Sequence, residues 1–285
     1  MTIASRAEAR GGRQEAIPGR EKTSVQGVLG LALGKSLPPD VTRVLWARSL
    51  RAFGDGYVAI LLPVHLSRLG YDAFGVGLIS TVSLLGSALL TLALGLVAYR
   101  ILRRPALLAA ALLMVATGLG FARIETFWPL LVVAFVGTLN PSGGDVSVFL
   151  PLEHTVISHV VADQDRTAAF ARYSFVSAFF GALGALSVGV IDWLAPVAAP
   201  ETTSAVLFGL YGLLGFLTFL LYRHLSPQVE AGIDNPPAPL GPSRGIVYRL
   251  AALFSVDAFG GGLVINALLT IWLGERFGIG VATIG

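Results

Sequence analysis

The chain has 285 residues, 54% of them hydrophobic and 13% charged, with no cysteine. That balance, with a mean hydropathy of +0.75, excludes an ordinary soluble domain, and the missing cysteines exclude a disulfide framework and thiol chemistry. The net charge is +3 and the pI about 9.4. No basic face with interleaved aromatics lies outside the apolar segments, so the excess suits anionic lipid headgroups and not nucleic acid.

Residues 1–43 form a polar, Gly/Arg-rich leader expected to be a disordered cytoplasmic tail. Its apolar piece, Val28–Gly34, is too short to span a bilayer, and Lys35 follows with no small-residue cleavage site. Uncharged runs then come at Phe74–Tyr99, Pro105–Ala122, Thr126–Gly144, Tyr173–Ile191 and Thr202–Tyr222. Each reaches the roughly 20 residues a helix needs to cross a 30 Å core. Val44–Leu66 and Ile246–Leu273 are long enough but carry charge. The reading is an all-α integral membrane protein with seven spans, since backbone in lipid must be helix or closed barrel.

Two connections stand out. Pro151–Arg166 reads as a short amphipathic or interfacial stretch ending in a charged turn, and residues 224–245 hold five prolines and no apolar face. The second is expected to be a flexible cytoplasmic linker. The expected domains are the tail (1–43), a six-helix bundle (44–223), the linker (224–245) and the start of a second bundle (246–285). With the N-terminus inside, fifteen Lys and Arg fall on the inner side and three (Arg68, Arg123 and Arg276) on the outer, as the positive-inside rule requires. The expected location is a bacterial inner (plasma) membrane. Trp46, Trp128, Trp193 and Trp272 lie near span ends, as interface anchors do.

Ser49–Leu62 (SLRAFGDGYVAILL) reappears as Ser255–Leu268 (SVDAFGGGLVINAL), identical at seven of fourteen positions. A seventh span that repeats the first implies six-helix halves, a build used mostly by transporters. In the loop between the second and third spans, Gly95, Arg100, Arg103 and Arg104 match a signature of Gly, three residues, Asp, Arg, one residue, Gly, Arg, and Arg or Lys. Tyr99 and Leu102 replace its Asp and second Gly. On these features the chain resembles the major facilitator superfamily. The resemblance covers residues 44–285, half the expected length plus one helix, so the chain is expected to be incomplete. It implies alternating-access transport of a small solute, no enzyme activity, no cofactor, and a missing C-terminal half as partner. The family's Asp-based cytoplasmic latch is put in doubt by Tyr99. Its antiporter signature of Gly-Pro followed by Gly-Gly is absent from the fifth span, where Gly181, Gly184 and Gly189 read as packing residues.

Charges inside spans are candidate site residues because they are costly there. Arg51 and Asp55 are four apart and expected to pair on one helical face, with Asp55 about 16 Å into the core and flanked by Gly54 and Gly56. In the fourth span, Pro141, Gly143 and Gly144 should break the helix and let Asn140, Ser142, Asp145 and Ser147 line polar space. Arg51, Asp55 and Asp145 are expected to share one polar network that a proton or substrate charge switches. Asp257 and Asn266 are buried candidates from the seventh span. Asp257 aligns with Arg51, and Gly261 with Asp55, so a pairing of the two first-span charges is not repeated. Glu153 and His154 are candidates at the cytoplasmic mouth, read chiefly as a wet helix end. The scattered histidines form no metal pattern, so no metal is expected. The partners expected are a small solute, protons and the bilayer. The competing reading is a non-transporting seven-helix receptor or assembly subunit. A retinal-binding version fails because the only lysines, Lys22 and Lys35, precede the spans.

Overall fold

Long apolar runs in lipid must satisfy their own backbone, and the described chain does so with helices alone. A computed structural model describes residues 37–97, 100–141, 147–189, 200–230, 241–262 and 266–278. Among these residues the elements are α1 (Pro39–Arg68), α2 (Ala73–Val97), α3 (Arg103–Arg123), α4 (Phe127–Val136), α5 (Phe149–Val160), α6 (Asp163–Ser187), α7 (Pro200–Arg223), α8 (Arg244–Gly262) and α9 (Asn266–Phe277). Short 3-10 turns stand at Pro227–Glu230 and Gly241–Ser243.

Five stretches are long and apolar enough to cross a membrane: α2, α3, α6, the Thr202–Arg223 part of α7, and the segment Gly241–Phe277. Seven spans were expected. The first falls outside this set because α1, though 30 residues long, carries Arg43, Arg48, Arg51 and Asp55. The fourth does so because α4 is only 10 residues long. Its helix ends at Gly137, earlier than expected at Pro141, and the chain stays extended there (φ −70°, ψ 172°).

Pro151–Arg166, read as amphipathic or interfacial, is mostly an amphipathic helix. Residues 149–160 are a helix that buries Phe149, Leu152, Glu153, Val156 and Ile157, the spacing of one helical face turned to a core. The stretch therefore packs into the bundle instead of lying at an interface. The fifth span likewise begins earlier than Tyr173, with Asp163 and Asp165 in the first turn of α6, where acidic groups suit the helix dipole.

The main packing partners are α3 with α7, α1 with α6 and α7, and α2 with α4. Missing side chains permit the closest approach. A Cβ built on Gly184 would sit 2.1 Å from the Phe53 carbonyl oxygen, and one on Gly56 would sit 2.1 Å from that of Gly181. Gly56 thus serves contact between α1 and α6. Two apolar clusters result. One joins Leu61, Phe121, Leu130 and Phe208, and the other joins Val44, Leu107, Val156 and Tyr222. α9 packs against α1 and α2, with Ala267 and Thr270 buried. α8 buries no residue, and Phe259 on it is 72% exposed.

Candidate functional site

Along α1, the residues between the two apolar clusters are Ser49, Arg51, Gly54 and Asp55. Arg51 is 1% exposed and Glu153 fully buried, and their side chains form a salt bridge through Arg51 Nη2 and Glu153 Oε2. The Tyr173 hydroxyl donates to Glu153 Oε2 at 2.6 Å, and the Tyr222 hydroxyl donates to Oε1 at 2.6 Å. The Arg51 guanidinium lies 4.0 Å from the centre of the Phe149 ring, a cation–π contact that favours the cation in a dry site. Four helices (α1, α5, α6 and α7) therefore meet on one carboxylate.

This corrects two expectations. Glu153 was read as the wet end of a helix, yet it lies in the dry interior on the buried face of α5. Arg51 was expected to pair with Asp55 one turn away. Its ion-pair partner is Glu153, which is 102 residues distant and also accepts from the Tyr173 and Tyr222 hydroxyls. A buried pair is tolerated only where geometry and extra hydrogen bonds offset a desolvation cost of several kcal/mol per ion. Three donors on two carboxylate oxygens meet that requirement.

Next to the pair, Arg48 donates to Ser177 Oγ and lies 5.3 Å from the Tyr173 ring centre. The His154 ring packs edge-on against Phe170 and Tyr173, 5.0 and 5.1 Å between centroids, so this second mouth candidate is held by aromatics.

Asp55 is half-buried and accepts from the Tyr211 hydroxyl at 3.4 Å. That hydroxyl also lies 3.3 Å from the Thr138 carbonyl oxygen, linking Asp55 to the break after α4. The break has lost its helical bonds, and neighbours replace them. Ser83 Oγ donates to the Leu139 carbonyl at 2.7 Å, and the Thr138 amide donates to Thr117 Oγ1 at 3.3 Å. Asn140 is 1% exposed within this polar layer. Ser147 is buried beyond it. Asp145 and Ser142 lie outside the described residues, as does Tyr99. Asp257 was expected to be buried, but it is exposed on α8, because no helix among the described residues covers that element. Asn266 opens α9.

The loop signature divides. Gly95 and Arg100 are exposed, whereas Arg103 is 7% exposed. The Glu230 carboxylate accepts the backbone amides of Arg103 and Arg104, each at 2.7 Å, and so caps the N-terminus of α3, where the dipole favours negative charge. Arg103 also donates to the Val229 carbonyl at 2.5 Å and to His159 Nε2 at 3.1 Å. Asp40 at the start of α1 accepts the Ser226 amide at 3.1 Å and the Ser226 hydroxyl. The first residues of the 224–245 stretch are thus tied to α1 and α3. These contacts span more than 120 residues of sequence, and no local spacing announces them.

Sequence reasoning also missed Tyr173, Tyr211 and Tyr222, each buried with its hydroxyl aimed at a carboxylate. A tyrosine in an apolar run reads as packing. Only the position of its partner distinguishes the polar use.

An all-helical integral membrane protein with a dry, charged layer inside its helix bundle is the class these features define. The chain belongs to the Major Facilitator Superfamily, whose family model matches residues 44–285. It is also similar to an uncharacterized membrane protein of Saccharomyces cerevisiae, 23% identical over 280 residues, a match covering 85% of this chain. The chain spans 62% of that relative's length.

Proposed function

We propose that this chain supplies one bundle of a proton-coupled secondary transporter that moves a small solute by alternating access. The observation that carries the reading is the convergence of Arg51, Tyr173 and Tyr222 on Glu153. All three groups donate, so Glu153 in this arrangement acts as an ionised acceptor. A proton on Glu153 would need an acceptor of its own and would remove the charge that holds Arg51. The guanidinium would then be left for another anion. Asp55, one turn along α1 and partly exposed, is one recipient, and an anionic group on the solute is the other. The exchange couples proton uptake to solute contact. Asn140 and the opened backbone after α4 would provide polar contacts in the same layer, with Asp145 included as a proposed member.

A path of this kind needs a second wall. The repeat of Ser49–Leu62 in Ser255–Leu268 supports a second bundle built like the first, with Asp257 and Asn266 as its proposed contributions, and residues 224–245 as the cytoplasmic linker between the two. The charge distribution supports a cytoplasmic N-terminus, and a bacterial inner membrane is the proposed location.

The test is accumulation of small polar solutes in proteoliposomes under a proton gradient. The 285-residue chain alone is expected to insert and to accumulate none. Gradient-driven uptake by that chain alone would contradict the need for a second bundle.

A further inference from the structure

The turn Pro227–Glu230 closes one end of the bundle as a clip. It packs against α3 and α5, and Val229 is buried in the apolar cluster that holds Val156, Ile157 and Val161. One guanidinium fastens it. Arg103 Nη1 donates to the Val229 carbonyl at 2.5 Å, and Arg103 Nη2 lies 3.1 Å from His159 Nε2. A guanidinium has donors and no acceptor. The second contact therefore exists only with His159 neutral and its proton on Nδ1, so that Nε2 accepts.

His159 stands in the last turn of α5 and is exposed, so protons reach it. The charged groups around it are Arg103 on α3, Arg166 on α6 and Glu230 on the turn. Arg166 is tied to Asp163 at 2.9 Å and to the Val161 carbonyl at 3.3 Å, and Glu230 is engaged by the amides of Arg103 and Arg104. Desolvation at the contact, with Arg103 and Arg166 alongside, holds the imidazole below its ordinary value. A proton on Nε2 would set an N–H against the N–H groups of Arg103 and add a cation beside Arg103 and Arg166. The guanidinium would have to move, and its bond to Val229 would go with it.

We propose that His159 is the proton-operated catch of this clip, which stays shut while the imidazole is neutral and loosens when it is protonated. The imidazole binds its proton more weakly with the clip shut. Closure is therefore fully favoured above the ordinary imidazole range and is lost as the pH falls through the lowered value. The attachment of the 224–245 stretch to α3 and α5 thus depends on the pH at that face of the bundle. The device is separate from the Arg51–Glu153 layer and does not depend on the transport reading.

The test is hydrogen exchange on the 285-residue chain in nanodiscs, in steps from about pH 7.5 to about pH 5 across the imidazole range, with rates corrected for the intrinsic effect of pH. Protection of the Val229 and Arg103 amides is expected to fall about tenfold at the lower end, the scale of one lost hydrogen bond to a charged group. Protection of the Ser226 amide, held by Asp40, should be retained. His159→Gln keeps an acceptor without the titration and should show no fall. That variant retains Asp40, Glu230, His154 and His224, so a fall caused by any of them would persist in it. An equal fall in wild type and His159→Gln, or no fall in wild type, would overturn the proposal. The Cε1 proton resonance of His159, followed in the same discs, should titrate with the midpoint of the lost protection. Separate midpoints would assign the loosening to another group and overturn the proposal as well.

Discussion

Removing either member of the Arg51–Glu153 pair should be far more costly than removing both. Arg51 is 1% exposed and Glu153 is 0% exposed, so neither group left behind can recover water without opening the bundle. Stripping one partner from a buried pair costs about 3–5 kcal/mol, because an uncompensated charge remains in low dielectric. Arg51→Leu leaves Glu153 with two of its three donors, while Glu153→Leu leaves the Tyr173 and Tyr222 hydroxyls without an acceptor as well as Arg51, placing it at the upper end. The double variant removes both ions of the pair and replaces them with apolar bulk, a change often neutral in measured cases. The assay is reversible unfolding in mixed micelles by added SDS, followed by circular dichroism, on wild type, both single variants and the double. The double should be more stable than either single variant, giving a coupling of about 3 kcal/mol or more. Additive costs, or single costs below about 1 kcal/mol, would show that the two charges do not depend on each other.

Gly184→Ala should lower stability by about 1–3 kcal/mol, because its new Cβ would lie 2.1 Å from the Phe53 carbonyl oxygen, which is backbone with little room to yield. Gly261→Ala in the same SDS titration is the control: nothing lies within 4 Å of that position, and exchanging a helical glycine for alanine should stabilise or leave the protein unchanged. Glu230→Ala should cost about 1–2 kcal/mol through loss of the cap on α3. Hydrogen exchange is expected to rise in the first turn of α3 and not in its middle, and unchanged protection there would refute the cap. Tyr222→Phe, which removes one donor from Glu153 without removing charge, should cost about 1.5–3 kcal/mol by SDS unfolding, less than Glu153→Leu.

The helices were readable wherever apolar runs came close to or exceeded the bilayer thickness, as in α2, α3 and α7, because length and composition alone decide the matter there. The polar core was readable as residues but not as contacts. Arg51 stood out as a charge in a span, yet a single helix offers it only local partners, and Asp55 was the nearest. Glu153 was hidden because Glu153, His154 and His159 interrupt the apolar run that would have marked α5 as buried. Its helical period was nevertheless present: Phe149, Leu152, Glu153, Val156 and Ile157 recur on one face. The cap of Glu230 on α3 and the tie of Ser226 to Asp40 join segments more than 120 residues apart. Contacts of that range depend on how the bundle closes, and no spacing along the chain encodes them visibly.

Difference infrared spectroscopy of the carboxyl stretch, recorded on the protein in nanodiscs as the pH is lowered, bears most directly on whether Glu153 is the proton-linked group. A protonated-carboxyl band should grow on acidification in wild type, vanish in Glu153→Gln, and shift in Tyr222→Phe. A band identical in wild type and Glu153→Gln would remove this carboxylate from proton coupling and leave the Arg51 pair as a structural tie between helices.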